Sequence, residues 1–331
     1  MGTLLGAPLP SGFAPRTPEQ TLVGIYWAYD GSAGLGTPPR LYNQIVRRLA
    51  MIRSPGSPTT PNTEAQNARL FALVNSAMGD AGILAWDQKY CHDFWRPVAG
   101  IREHDPALGL ATAADDDLSA DADPGWLPLG APATNSKNPA TRSAKPGYPC
   151  NQPAGGVMKN FTPNFPAYPS GHATFGAAAF HIACLFYGVE AGDRSRDDLF
   201  DGLAFVSDEY NGANQDNRGT VRPRHLRVFP DGLWGMIFEY PLSRIFLGVH
   251  WIFDAHAVDE DGDPDLGRNV GGVPLGLTIA EDIYAAGLTR SAVAPRGAPC
   301  ARDFDDEAVS PGGKDRKAPA PKKGAGKRKA R

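Results

Sequence analysis

The chain has 331 residues, 42% of them hydrophobic, which is enough to bury a sizeable core and excludes a wholly disordered protein. Its 36 acidic and 33 basic side chains give a net charge of −3, so the overall charge does not indicate nucleic acid or membrane binding. The charge is uneven, because nine Lys and Arg residues follow Gly312 and the rest of the chain is therefore acidic.

Capping patterns predict three helices in the first hundred residues. A Thr-Pro-Glu-Gln box begins the first at Thr17, and Thr37 precedes the second. Thr63 opens another capping box and a long apolar pattern with helical spacing. Pro97 is expected to end this third helix, because proline cannot continue one.

The middle of the chain, from His104 to Pro169, is rich in Pro, Gly, Asp and Asn and has no sustained period. It is predicted to be a long ordered loop, and such loops commonly carry function. Helical patterns then return at residues 173–187, 197–212, 231–247, in a short piece after His250, and at 274–286. Strand alternation is nearly absent, so we expect an all-α helical bundle with long loops.

This pattern predicts an N-terminal extension over residues 1–15, a helical domain over 16–300 and a basic, disordered tail over 301–331. The longest apolar stretch, Ala173 to Val189, is interrupted by His181 and is shorter than the roughly 18 to 20 residues that cross a bilayer. The first residues lack the basic start of a signal peptide. We therefore expect no membrane span and, by default, a cytoplasmic protein, with non-classical secretion left open.

The four cysteines are scattered along the chain, at Cys91, Cys150, Cys184 and Cys300. They form no C-x-x-C pair and have no histidine spacing typical of a zinc site. Free thiols are the expected state.

The first candidate cluster contains Lys89 and Arg96, near the end of the long predicted helix. Seven residues are two helical turns, so both cations are predicted to project from one face, where an anion is their natural partner. The alternative is a solvated helix end that carries ordinary basic residues.

The second cluster is Ser170-Gly171-His172, directly before a helix. Ser170 offers a hydroxyl, Gly171 lets its backbone N–H approach an oxyanion closely, and the helix N-terminus adds partial positive charge. His172 has the chemistry to donate or accept a proton. The alternative is a capped helix with an incidental histidine.

The third cluster joins Arg244, His250 and Asp254. Arg244 and His250 share a face only if the helix ends between them, for which Gly248 is a suitable position. His250 and Asp254 are one turn apart, so the carboxylate is expected to hold one ring nitrogen and raise the basicity of the other. The alternative is a core histidine with a satisfied partner.

In this order, the motifs Lys-x6-Arg-Pro, Pro-Ser-Gly-His and Ser-Arg-x5-His-x3-Asp resemble those of vanadium-dependent haloperoxidases and the related acid phosphatases. Further segments resemble vanadium chloroperoxidases in particular, and the likeness covers most of residues 16–288. These segments are residues 26–31, 36–40, 126–135, 165–176 and 243–255.

The resemblance implies vanadate as the cofactor. The groups that bind its oxygens in that family match Lys89, Arg96, Ser170, the Gly171 amide and Arg244. Three fixed cations and a helix N-terminus suit a trianion.

The resemblance also implies how the reaction proceeds. His250 supplies the one bond from protein to metal, Asp254 orients its ring, and His172 takes a proton from hydrogen peroxide. Lys89 polarises bound peroxide, a halide is oxidised to hypohalous acid, and this acid halogenates a small organic acceptor.

Three further positions match chloroperoxidases. Asp30 aligns with a carboxylate that pairs with Arg244, and its alternative role is to cap a turn. Trp86 and Phe165 align with aromatic residues beside the halide site. They favour an enzyme that oxidises chloride as well as bromide, and ordinary aromatic packing is the alternative.

The sequence also departs from the family. Fungal members carry a second, N-terminal helical bundle with no counterpart in this sequence, so a surface that they bury is expected to be exposed here or covered by a partner, for instance in a homo-oligomer. Residues 136–160 look inserted ahead of the Ser-Gly-His motif, and the segment between Asp254 and Gly271 looks shortened.

Two other functions stay open. In a phosphatase of the same superfamily, His250 would be the nucleophile and His172 would protonate the leaving oxygen. Alternatively, the basic tail binds nucleic acid or an anionic surface, although such tails are more commonly solvated extensions.

Overall fold

Helices make up most of the described chain. A computed structural model describes residues 16–29, 38–103, 126–131, 162–190, 200, 202–214 and 220–288. They belong to the first of two compact units, Met1–Ala294, and the second unit is Pro295–Arg331. The predicted N-terminal extension, the insertion at 136–160 and the basic tail lie outside the described residues.

The prediction of a helical bundle is confirmed, as are the helices expected near 231–247, after His250 and at 274–286, whereas most of the long loop predicted from His104 to Pro169 lies outside the described residues. Within the described residues the α-helices are α1 (Pro18–Tyr26), α2 (Pro38–Ile52), α3 (Glu64–His92), α4 (Pro97–Glu103), α5 (Gly171–Phe186), α6 (Gly232–Phe246), α7 (Ile252–Ala255) and α8 (Gly272–Ala286).

The predicted capping boxes form at the starts of α1 and α3. The side chains of Thr17 and Thr63 each accept a hydrogen bond from the backbone N–H three residues later, and the Gln at that position bonds back to the capping residue. Each box satisfies two N–H groups, including one at the helix start that has no partner inside the helix.

The long helix α3 ends earlier than predicted. Its last residue is His92, and Asp93 adopts a left-handed conformation with a φ of 45°, which terminates the helix. Pro97 instead begins α4, where a proline has no helical N–H to lose. The prediction that Pro97 ends α3 is therefore wrong, and Arg96 lies in the connection between the two helices.

The prediction of a helix over residues 197–212 is also wrong, because a strand and a 3-10 turn occupy most of residues 203–210. The core-facing residues Leu203 and Phe205 alternate with the period of a strand, and Phe205 stacks on Phe229 of the partner strand with centroids 5.3 Å apart. The described strands form two antiparallel hairpins, β1 (Leu203–Val206) with β2 (Leu226–Phe229), and β3 (Ala257–Val258) with β4 (Pro264–Asp265).

The central helix is α5, which is buried along nearly its whole length. It packs against α8, α3, α6 and α2. Many of its residues are small, among them Ala177, Ala178 and Ala183, so its neighbours approach closely. The start of α5, which carries the Ser-Gly-His motif, is thereby fixed from several sides.

Of the helices described, none is long and apolar enough to span a membrane.

The cysteine prediction is confirmed for one residue and wrong for another. Cys184 is a buried free thiol. Cys91 is disulfide-bonded, and its partner lies outside the described residues. Disulfide pairing depends on approach in space, which the spacing of cysteines along the chain does not report.

Candidate active site

Separate stretches of the chain meet at the start of α5. The Ala167 N–H donates to the Phe94 carbonyl at 2.8 Å, which ties the segment before α5 to the end of α3. The Ser170 N–H donates to the Asp254 carbonyl at 2.8 Å, which ties it to α7. Residues far apart in sequence therefore contribute to one site.

Lys89 is fully buried near the end of α3. Its Nζ donates to three backbone carbonyls, those of Pro166 at 3.0 Å, Ala167 at 2.9 Å and Pro169 at 2.6 Å. An ammonium group has three N–H donors. Lys89 therefore anchors the segment before α5 and acts on an anion chiefly through its charge.

Arg96 is buried and bridges two stretches of the chain. Its Nε donates to the Phe165 carbonyl at 2.9 Å. One terminal nitrogen donates to the Val249 carbonyl at 2.8 Å and lies 2.9 Å from Nε2 of His250. The prediction that Lys89 and Arg96 share a helix face is wrong, because α3 ends between them.

The predicted pairing of His250 with Asp254 is present. Nδ1 of His250 lies 2.7 Å from Oδ2 of Asp254, and both side chains are buried. The same oxygen accepts the Trp251 N–H at 2.9 Å. A guanidinium only donates, so the contact with Arg96 favours the tautomer with the proton on Nδ1 and a lone pair on Nε2.

The predicted helix break between Arg244 and His250 is also present. Helix α6 ends at Phe246, and Gly248 has a φ of 72°, a conformation that glycine adopts at little cost. The Arg244 side chain is fully buried, and its charge acts on both Lys89 and His250. The end of α6 therefore places Arg244 in the same site.

Helix α5 begins as predicted, with Ser170 as its N-cap. Ser170 Oγ accepts the Ala173 N–H at 3.4 Å, which leaves its O–H to donate elsewhere. The Gly171 N–H belongs to the helix start, where amides carry partial positive charge. His172 is half-buried on the first turn and acts electrostatically on His250.

Burial and mutual repulsion shift the pKa values of the site. Burial, and then the charge of Arg96, lowers the pKa of Lys89 to about 6. Burial, with Arg96, Lys89 and Arg244, lowers the pKa of His250 well below its ordinary value. Burial raises the pKa of Asp254 to about 7. A bound anion would offset the positive charge collected here.

Aromatic rings lie beside these cations. The ring centroids of Trp86 and Phe165 are 5.0 Å apart. The Phe165 ring centre is 5.4 Å from Nζ of Lys89 and 5.0 Å from the guanidinium carbon of Arg96. Both predicted halide-site residues thus adjoin the cluster, whereas Asp30 lies outside the described residues.

Side-chain patterns in the sequence do not report the backbone carbonyls that surround Lys89 and Arg96. They come from residues 165–169 and from Val249. The signal that could have found the first group is the repeated proline at 163, 166 and 169. Proline lacks an N–H, so such a segment has more acceptors than donors.

Residues 69–274 match a family model described as the second helical-bundle domain of VCPO. The vanadium chloroperoxidase of Curvularia inaequalis is 40% identical to this chain, over 82% of the chain and 48% of that protein. The chain therefore spans about half the length of this curated relative. A solved structure described as the first bacterial vanadium-dependent iodoperoxidase matches with a TM-score of 0.46 and 17% identity, covering 81% of this chain and 43% of the other.

Proposed function

Because the chain belongs to the family defined by the second helical-bundle domain of vanadium chloroperoxidase, we propose that it is a vanadate-dependent haloperoxidase. The proposed reaction oxidises chloride or bromide with hydrogen peroxide to hypohalous acid, which halogenates a small organic acceptor. The observation that supports it is the buried cation cluster of Lys89, Arg96 and Arg244 beside the Nε2 of His250.

The residues present fit vanadate. The cation cluster can offset a trianion, and the Ser170 hydroxyl and Gly171 amide are donors suited to its oxygens. Each cation is buried, while Asp254 is the carboxylate that contacts His250. An oxyanion would thus balance charge that otherwise costs stability in a buried site.

His250 would hold the group through Nε2, since Asp254 occupies Nδ1. Vanadate, when bound, supplies a Lewis-acid centre at which hydrogen peroxide can be activated. Arg96 and Arg244 would bind its oxygens by charged hydrogen bonds, which are stronger than neutral ones. Backbone carbonyls hold Lys89 and Arg96 in place before any ligand arrives, and Arg96 would have to give up its contact with Nε2 of His250 for the group to bind there.

His172 would move the proton. It stands on the first turn of α5, and a neutral imidazole there can accept a proton from incoming peroxide and return it to a leaving oxygen. Lys89 would place positive charge beside the oxygens of the bound group. The Trp86 and Phe165 rings limit water near Lys89, which strengthens the action of its charge on a halide.

The test incubates the purified chain with orthovanadate, hydrogen peroxide and bromide or chloride, and follows halogenation of phenol red. A phosphate ester is offered in parallel without peroxide. We expect vanadate-dependent halogenation that the His250→Ala variant lacks. Ester hydrolysis without halogenation would refute the proposal and favour the phosphatase, in which the Nε2 of His250 attacks phosphorus.

A further inference from the structure

A tyrosine hydroxyl from α6 makes hydrogen bonds to two backbone groups near the start of α5. Tyr240 is fully buried, and its hydroxyl donates to the Ala173 carbonyl. The same oxygen accepts the Ala177 N–H at 3.1 Å. In an α-helix these two backbone groups, four residues apart, are each other's ordinary partners.

The space for this hydroxyl is provided by Gly176. A Cβ at that position would overlap the Tyr240 ring and hydroxyl. Any larger residue would therefore push the ring away from α5. Gly176 and Tyr240 form a matched pair across the two helices.

The Tyr240 ring is held in place by other aromatic side chains. The rings of Tyr42, Trp27 and Phe180 surround it, with centroids 5.6, 5.7 and 6.2 Å away. Burial raises the pKa of the Tyr240 hydroxyl well above its ordinary value, so the hydroxyl keeps the proton that it donates to Ala173.

Both residues joined by this hydrogen bond, Ala173 on α5 and Tyr240 on α6, lie close in sequence to the proposed oxyanion-binding groups. On α5, Ala173 is in the same first turn as Ser170 and Gly171, and Ser170 Oγ accepts the Ala173 N–H. On α6, Tyr240 precedes Arg244 by four residues, so both side chains lie on one helix face. The Tyr240 hydroxyl thus links α6, whose end carries Arg244, to the first turn of α5, which carries the Ser170 and Gly171 donors.

We propose that Tyr240 is a positioning residue for the oxyanion site. Its hydroxyl sets the spacing between Arg244 and the turn formed by Ser170, Gly171 and His172. The inference rests on the proposed function, since it assumes that this turn and Arg244 bind one oxyanion.

Tyr240→Phe is the direct perturbation, because it removes the hydroxyl and keeps the ring. Without the hydroxyl, the Ala173 carbonyl and the Ala177 N–H each lose a buried partner. The first turn of α5 then loses its link to the helix that carries Arg244, and its donors are expected to shift relative to Arg244. The loss of one charged hydrogen bond to the anion corresponds to an affinity loss of about 10-fold or more, which is the effect expected here.

The matched control is Tyr26→Phe. The Tyr26 hydroxyl is also buried and also donates to a backbone carbonyl, that of Phe205 in β1. We expect both variants to unfold at lower temperature than the unaltered protein. Only Tyr240→Phe is expected to bind orthovanadate more weakly, as measured by titration calorimetry at a temperature where circular dichroism shows both variants folded.

Equal orthovanadate affinities in Tyr240→Phe and Tyr26→Phe would overturn the inference. Failure of the proposed function would appear separately, as no orthovanadate binding by the unaltered chain. Should Tyr240→Phe not fold, hydrogen exchange on the unaltered chain decides. Orthovanadate is then expected to slow exchange of the Ala177 amide more than that of Ala81 in the middle of α3, and equal slowing would contradict the inference.

Discussion

Replacing Asp254 by asparagine tests whether the buried carboxylate sets the basicity of His250. The amide has nearly the same shape, so it can still accept the Trp251 N–H that Oδ2 accepts at 2.9 Å. The substitution removes the negative charge that lies 2.7 Å from Nδ1 of His250. Without that charge Nε2 is less basic, and its bond to an oxyanion centre weakens.

The size of the effect follows from the kind of hydrogen bond that is lost. A bond to a charged group contributes about 1.5 to 3 kcal/mol, against about 1 kcal/mol for a neutral one. The difference of about 0.5 to 2 kcal/mol corresponds to an affinity loss of about 2-fold to 30-fold. Burial raises the pKa of Asp254 to about 7, so the loss should be largest above that pH and should shrink as the native carboxyl becomes protonated below it.

The assay is calorimetric titration with orthovanadate at pH 8 and pH 6. Glu281→Gln is the control, because it neutralises another histidine–carboxylate contact, between a half-buried Glu281 of α8 and the buried His181 of α5, 3.1 Å apart. The control is expected to bind with unchanged affinity. A folded Asp254→Asn variant that binds within twofold of the unaltered protein at pH 8 would refute the reasoning.

Three further predictions follow from the site and the tail. Arg244→Ala removes a charged hydrogen-bonding group, so orthovanadate affinity should fall by about 10-fold to 150-fold in calorimetry, and a change below twofold would contradict its role. Lys89 has a folded pKa of about 6, lowered from 10.5, so the unfolded state binds more protons between these values. The free energy of unfolding of the anion-free protein should therefore rise with pH in that window, by up to about 1.4 kcal/mol per unit more than in Lys89→Met, and equal slopes in urea titrations would oppose this. Deleting the residues after Gly312 should leave retention on DNA unchanged at two salt concentrations if the basic tail is only a solvated extension, whereas weaker, less salt-dependent retention would assign it a binding role.

The sequence predicted the local parts of the site well, because they depend on short-range geometry. The break falls at Gly248, where glycine adopts the positive φ that ends a helix. The four-residue spacing brings His250 to Asp254, although α7 begins only at Ile252. The capping role of Ser170 follows from the chemistry of the helix start. These are the parts that the structure confirms.

The wrong predictions concern the points where tertiary structure overrides local pattern. Their seven-residue spacing predicts that Lys89 and Arg96 share one helix face, but α3 ends at His92 and Arg96 lies in the connection to α4. The strand over Leu203–Val206 is too short for periodicity to separate it from a helix. Its aromatic packing against Phe229 is a long-range contact that no local pattern reports.

A crystal structure of the chain with orthovanadate tests the central claim most directly. We expect one anomalous vanadium peak per chain, within bonding distance of Nε2 of His250, and oxygens hydrogen-bonded to Arg96, Arg244 and the Gly171 amide. A vanadium atom bound elsewhere, or these side chains directed away from a shared anion, would contradict the account.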